Sequence, residues 1–345
     1  MNLYNFLENE VEKNIYIKRE EEGFKNKKIL ITGATGLLGS MICMTLSCMA
    51  VKQKINIKIV AMVRSIKKAE EILREAIQNG NTFLLEQDII SPIEMEEEVD
   101  YIIHTACPTA SNTFIEKPVE TIKTIVVGTE NILHFARTCN CKSVVYFSSM
   151  EAYGQILHEN PLKPEDVGYI NPLNLRSCYS EGKRMAENLC MAYNKEYAVP
   201  VKIIRFAQTF GPGISKNDKR VFAQFIHSAI EGKNIIMYTE GTAKRMYLDT
   251  VDAINACIVI LMHGKNGQVY NAGNPSTYCS IKEMAEMVAK NFGNDECQVI
   301  IDTSRDVGQY PPANKLFLDV QPLKELGWSP KYNLEEMYKR MLILI

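Results

Sequence analysis

"KKILITGATGLLGSMICMTLSCMA", residues 27–50, decides how the rest of the chain is to be read. Its first part is a short apolar strand, of the kind buried on both faces of a sheet. Gly33, Gly36 and Gly39 then follow at three-residue intervals and open into an apolar helix. In such a turn the first glycine permits the tight bend, the second lets backbone approach a pyrophosphate, and the third lets helix pack close to strand. The helix N-terminus adds free N–H groups and positive potential for phosphate. The stretch predicts a dinucleotide-binding turn, with Gly33, Thr35, Gly36, Leu37, Leu38 and Gly39 facing the cofactor.

Outward from this turn the same alternation continues. "IKIVAMVR" (57–64), "TFLLEQDI" (82–89), "VDYIIHTA" (99–106), "KSVVYFSSM" (142–150) and "VPVKIIRFAQTFGP" (199–212) read as further strands. "VETIKTIVVGTENILHFARTC" (119–139) reads as a long helix between them. Apolar strands alternating with helices imply a parallel sheet covered on both faces, a Rossmann-type doubly wound α/β fold. Gly and Pro punctuation at 211–213, 273–275 and 311–312 marks a less regular region. The expected organisation is a helical extension over 1–26, a dinucleotide-binding domain over 27–210 with a later return near 246–272, and a mainly substrate-binding lobe over 211–345. Within that lobe, "SIKEMAEMVAKNFG" (280–293) and "NLEEMYKRMLILI" (333–345) read as helices.

Composition narrows the function classes. The 345 residues carry a net charge of −2 without a block of like charges, which gives no support to nucleic-acid or membrane-surface binding. The first 24 residues are acidic and lack the basic-then-apolar pattern of a signal peptide. No apolar run approaches the ~20 residues of a membrane span. A cytoplasmic protein is expected. Ten cysteines include no CxxC pair, and the five histidines (104, 134, 158, 227, 263) are scattered, so buried thiols and no metal are predicted.

"RSCYSEGKRMAENLC", residues 176–190, carries Tyr179 and Lys183 four places apart on one helix face. A phenol of pKa ~10 is a poor base at neutral pH. A neighbouring ammonium and a positively charged nicotinamide favour the phenolate. Ser149, at the end of the fifth strand, offers a hydroxyl for the substrate oxygen. A redox-sensing binding protein on the same fold would need no such pair.

The cofactor's ribose is normally reported at the end of the second strand. Arg64 stands there without an acid, and that favours NADP. Asp88 lies where an acid could reach the adenine, although a plain strand cap would carry the same residue.

"TGATGLLG", "SSMEAYG", "YSEGK", "RFAQTFGPG", "GTAKRMYLDTVDA" and "LKELGWSPKYNLEE" together resemble the extended short-chain dehydrogenase/reductase family. That family comprises nucleotide-sugar epimerases, dehydratases and decarboxylases. "HTACPTAS", "RSCYSEGKRMAENLC" and "NDKRVFAQF" resemble its UDP-glucuronate decarboxylase branch. The resemblance implies NAD as cofactor, a nucleoside-diphosphate sugar as substrate and a homodimer built on the two long helices. It implies that Tyr179 takes the proton of the sugar 4-hydroxyl, Lys183 also holds the nicotinamide ribose, and Ser149 hydrogen-bonds the 4-oxygen. Glu151 matches the glutamate of dehydratases and decarboxylases. Ile89 and Ala106 are implied at the cofactor, and Pro108, Gln208, Arg220, Arg245 and Arg305 at the substrate. Three positions depart from the pattern: Met150 where decarboxylases usually have serine, Gln208 where asparagine is usual, and Ile125 before "GT".

Overall fold

The computed structural model describes residues 1–13, 16, 19–304 and 314–344. Its central sheet has seven strands: β1 (Lys27–Thr32), β2 (Ile57–Val63), β3 (Thr82–Glu86), β4 (Tyr101–His104), β5 (Ser143–Ser149), β6 (Val201–Phe206) and β10 (Val269–Ala272). Their order is β10-β6-β5-β4-β1-β2-β3, and every neighbouring pair is parallel. The chain winds one way from β1 to β3 and the other way from β4 onward. The order therefore reverses between β1 and β4, the place beyond the carboxyl ends of the strands where sheets of this kind take their ligands.

Counting helices of eight residues or more, the described chain forms α1 (Leu3–Lys13), α2 (Leu37–Gln53), α3 (Pro118–Thr138), α4 (Ser177–Tyr197), α5 (Val221–Ile230), α6 (Thr250–His263), α7 (Ile281–Phe292) and α8 (Leu334–Leu342). α2 is apolar all round because it is covered on nearly every side, Gly39 to Ala50 being buried without a break. α3 and α4 lie together over the opposite sheet face. A Cβ on Gly182 would stand 3.2 Å from Ile125 Cδ1, so these helices approach closely. No helix among the described residues is long and apolar enough to cross a membrane.

The stretch expected as one sixth strand divides in two. After β6, Ala207 still donates to Ala272 O at 2.8 Å, but Gln208–Phe210 (β7) leaves the central sheet and pairs with β9 (Lys244–Asp249). The reason is aromatic packing. Phe210 stacks on Phe222 at 4.4 Å and meets Tyr247 and Tyr338, the centre of a second core. Hydrophobicity continues through the switch, so the sequence showed no break there.

The second lobe holds β7, β9, β11 (Asn274–Ser280) and β13 (Lys315–Leu316) in one sheet and β8 (Ile235–Met237) with β12 (Val299–Ile301) in another. Its helices α7 and α8 start at capping boxes, Ser280 with Glu283 and Asn333 with Glu336. At the N-terminus, α1 buries Phe6, Leu7 and Val11 and sends Glu10 to Arg340 of α8 (3.3 Å).

Candidate active site

The glycine turn lies at the order reversal. Gly33 has φ +64°, and a Cβ there would come within 2.8 Å of the Ala106 Cα. A Cβ on Gly39 would fall 2.4 Å from Gly33 O, so a side chain at either place would push the turn apart. Thr105 Oγ1 donates to Thr32 O at 2.7 Å and Ala106 N to Thr32 Oγ1 at 3.2 Å, tying the ends of β1 and β4 together. α2 opens on exposed Gly36 without any side-chain cap. Its first-turn amides, from Leu37 onward, lie beside half-buried Thr35 with no side-chain acceptor of their own. That arrangement fits a pyrophosphate.

The other cofactor candidates divide. Arg64 is exposed at the end of β2, with Nη1 3.7 Å from the Glu120 carboxylate. Asp88 is exposed too, and its Oδ1 accepts from Ile90 N (3.2 Å), which is the capping role weighed above. Ile89 is buried against Gly128 of α3, where it shapes the wall behind the crevice.

Tyr179 and Lys183 lie on the α4 face turned to the sheet, and both are buried. The Tyr179 ring stacks on Phe114 at 4.4 Å and 17°. Lys183 Nζ donates to Phe147 O at 2.6 Å and sits 5.8 Å from the Tyr179 ring centroid. Ser149, ending β5, is near enough to the phenol to lower its pKa, and its Oγ accepts from Glu151 N at 3.2 Å. Serine, tyrosine and lysine thus meet at one place.

The expected lowering of the phenol's pKa belongs to the state with nicotinamide bound, and in the ligand-free protein burial works against it. Burial pushes Tyr179 well above its usual value, and the nearby Cys107 and Glu151 add to the rise, while Ser149 and Arg176 oppose it. Desolvation dominates because the Lys183 ammonium is turned to a backbone carbonyl instead of the phenolic oxygen.

Glu151 is held by a residue that the sequence reading passed over. Arg176 Nη1 and Nη2 donate to Glu151 Oε2 and Oε1 at 2.8 and 3.0 Å, a two-pronged pair across 25 residues of chain. The same guanidinium lies 5.8 Å from the Phe114 ring. Arg184 fixes the turn that carries Glu151, donating to Ala152 O (2.7 Å), Tyr153 O (3.1 Å) and Gly168 O (2.7 Å). One helical turn beyond Lys183, Glu187 accepts from Arg205 Nη2 (2.6 Å) and Nε (2.9 Å). Arg176 is the residue just before α4 begins, three places ahead of Tyr179.

The substrate candidates are more scattered. Arg245, at the start of β9, is half-buried, and its Nε is buried without a hydrogen-bond partner. That is a donor awaiting an acceptor. Gln208 opens β7 opposite Tyr247 of β9. Pro108 is half-buried just past Ala106, and its carbonyl accepts from Cys107 Sγ at 3.1 Å. Arg220 is engaged by Asp218, Nη2 to Oδ2 at 2.6 Å, so its charge is largely spent. Arg305 lies outside the described residues. Met150 is buried in the main core with Phe147 and Tyr153, filling space where a serine would place a hydroxyl.

A glycine turn at the order reversal, faced by a tyrosine–lysine helix, defines a protein of the dinucleotide-binding short-chain dehydrogenase/reductase type. Over residues 29–273 the chain matches the NAD dependent epimerase/dehydratase family, and it belongs to that family. UDP-glucuronic acid decarboxylase 6 of Arabidopsis thaliana is 32% identical over 313 residues, covering 90% of this chain and 86% of the relative. UDP-glucuronic acid decarboxylase 1 of Xenopus tropicalis is 31% identical, covering 90% of this chain and 70% of its own. Among solved structures, the UDP-glucuronic acid 4-epimerase of Bacillus cereus, in complex with UDP-glucuronic acid and NAD, superposes with a TM-score of 0.75 at 22% identity. It covers 92% of this chain and 98% of that one, a likeness of fold.

Proposed function

We propose that this chain is an NAD-dependent decarboxylase of a nucleoside-diphosphate uronic acid, with UDP-glucuronate as the leading substrate, working through a 4-keto sugar. The observation that carries the reading is the 32% identity with a UDP-glucuronic acid decarboxylase across 90% of the chain. A bound nicotinamide, held by the Gly33–Gly39 turn and Lys183, would supply the hydride acceptor and donor. Tyr179 accepts the proton of the 4-hydroxyl as the C4 hydrogen leaves as hydride. Ser149 holds the 4-oxygen, and Lys183 keeps positive charge beside the developing phenolate. The resulting ketone stands β to the carboxylate, so the C5–C6 bond can break with loss of CO2 and its electron pair enters the ketone as an enolate. Protonation of the enolate at C5 from water, return of hydride to C4 and return of the Tyr179 proton to the 4-oxygen would close the cycle. Arg245 is placed to take the substrate diphosphate, which its fork of donors suits.

Incubation with UDP-glucuronate and mass spectrometry of the product tests this directly. Loss of CO2 is expected. Loss of water would show a dehydratase, and an unchanged mass with altered retention an epimerase.

Arg64 gives the cofactor a separate test. Its guanidinium stands at the strand end where a 2′-phosphate would lie, while Glu120 competes for it. Arg64→Ala is expected to weaken NADP binding about tenfold, the scale of one charge-assisted hydrogen bond, and to leave NAD unchanged. Equal affinities for NADP in both proteins, by titration calorimetry, would show that Arg64 serves Glu120 alone.

We also propose a homodimer. Val119 and Ile122 on α3, and Met185 and Met191 on α4, are exposed large apolar residues on the two helices the family pairs through. Light scattering at micromolar concentration is expected to give twice the chain mass, and a monomer mass would refute the pairing.

A further inference from the structure

Glu151 does not stand alone in its pocket. Both carboxylate oxygens are occupied by the two terminal nitrogens of Arg176, and Ser180 Oγ lies 3.5 Å from Oε2. The pair is partly shielded, with 18% of the Arg176 side chain and 29% of the Glu151 side chain exposed. A parallel two-pronged contact fixes the plane of a carboxylate as well as its position, which a single lysine charge cannot do. Arg176 is itself fixed, by backbone at the start of α4 and by the Phe114 ring, and Phe114 in turn stacks on Tyr179.

We propose that Arg176 is the positioning residue through which Glu151 acts, holding that carboxylate correctly turned beside Ser149 and Tyr179. The assignment rests on the decarboxylase reading for its substrate but on the ion pair for its geometry. It accounts for how an acidic sugar enters a site that already holds an acid. An uncompensated Glu151 would repel the uronate carboxylate, whereas the Arg176–Glu151 pair presents no net charge. It also accounts for the phenol. Glu151 pushes the Tyr179 pKa up and Arg176 pulls it down, so removing the arginine leaves only the unfavourable half. The other groups facing this place are accounted for. Lys183 and Tyr179 come from α4 with Ser180, Cys107 from the segment after β4 interacts with Tyr179, and Arg205 from β6 is bound to Glu187.

A double-mutant cycle tests the assignment. Arg176→Met is expected to slow turnover roughly 10–100-fold, the scale of a misplaced catalytic group. In a Glu151→Gln background, adding Arg176→Met should change the rate little, because the group it positions is gone. Additive losses would overturn the assignment. A second readout needs no substrate. The infrared carboxylate stretches of Glu151, taken as a difference against Glu151→Gln, should change position in Arg176→Met, because the two parallel donors that hold both oxygens are gone. An unmoved band overturns the proposal whatever the enzyme turns over. A shifted band with no product from any uronate keeps the pair and rejects the decarboxylase reading.

Discussion

Tyr179→Phe will abolish reduction of the bound nicotinamide by substrate while leaving the fold and the cofactor affinity in place. The substitution removes one oxygen from a ring whose packing is otherwise kept, including the 4.4 Å stack on Phe114. Lys183 keeps its bond to Phe147 O, and Ser149 keeps the amide of Glu151. The loss in stability should therefore be small, at most about 1 kcal/mol. The loss in rate is of another order. Without the phenol no placed base takes the 4-hydroxyl proton, and such groups contribute ~10²–10⁴-fold. The pH dependence of the unaltered protein follows from the same oxygen. Burial holds the ligand-free phenol protonated, and the base form is needed, so the reduction rate should rise as pH rises. Single-turnover absorbance of the reduced nicotinamide measures both. Unchanged reduction in Tyr179→Phe would remove the tyrosine from the mechanism.

What the sequence made legible was local in the chain. Three glycines in seven residues can be read because strand, turn and helix follow without interruption, and the turn's strain is intrinsic to those residues. Tyr179 and Lys183 can be read because helical spacing fixes their common face. The Glu151–Arg176 pair could not be found this way, since 25 residues of turn and loop separate its members and no periodicity connects them. The division of β6 from β7 was hidden for a different reason. Both strands are apolar, and only the aromatic cluster around Phe210 decides to which core each belongs. Arg220 reads equally as a substrate ligand or a surface charge, and its three contacts with Asp218 two residues earlier are a side-chain geometry that residue type alone does not give. The direction of the Lys183 Nζ, toward Phe147 O, was hidden similarly, because proximity along the helix does not set it.

Glu151→Gln separates the reaction classes that share the first step. Glu151 follows Ser149 by two residues, and its carboxylate is fixed at the same pocket by Arg176. Oxidation at C4 needs Tyr179, Lys183 and Ser149, none of which this substitution removes, so reduced nicotinamide should still form. What comes next differs by class. A dehydratase must take a proton from C5, and a decarboxylase must hold the uronate so that its C5–C6 bond lies along the ketone's π system. A correctly turned glutamate serves either need, as acceptor of the C5 proton or as the fixed group against which the sugar is held. An epimerase only has to turn its keto-sugar over and needs neither. Glutamine keeps the shape, but its amide cannot take up a proton, and its NH2 would face the guanidinium as donor against donor. Turnover is expected to fall ~100-fold or more, the usual scale for a general acid–base group. Reduced nicotinamide should accumulate on the protein during the reaction, because the step that consumes the ketone has become slow. Normal turnover without that accumulation would favour the epimerase reading over both elimination chemistries.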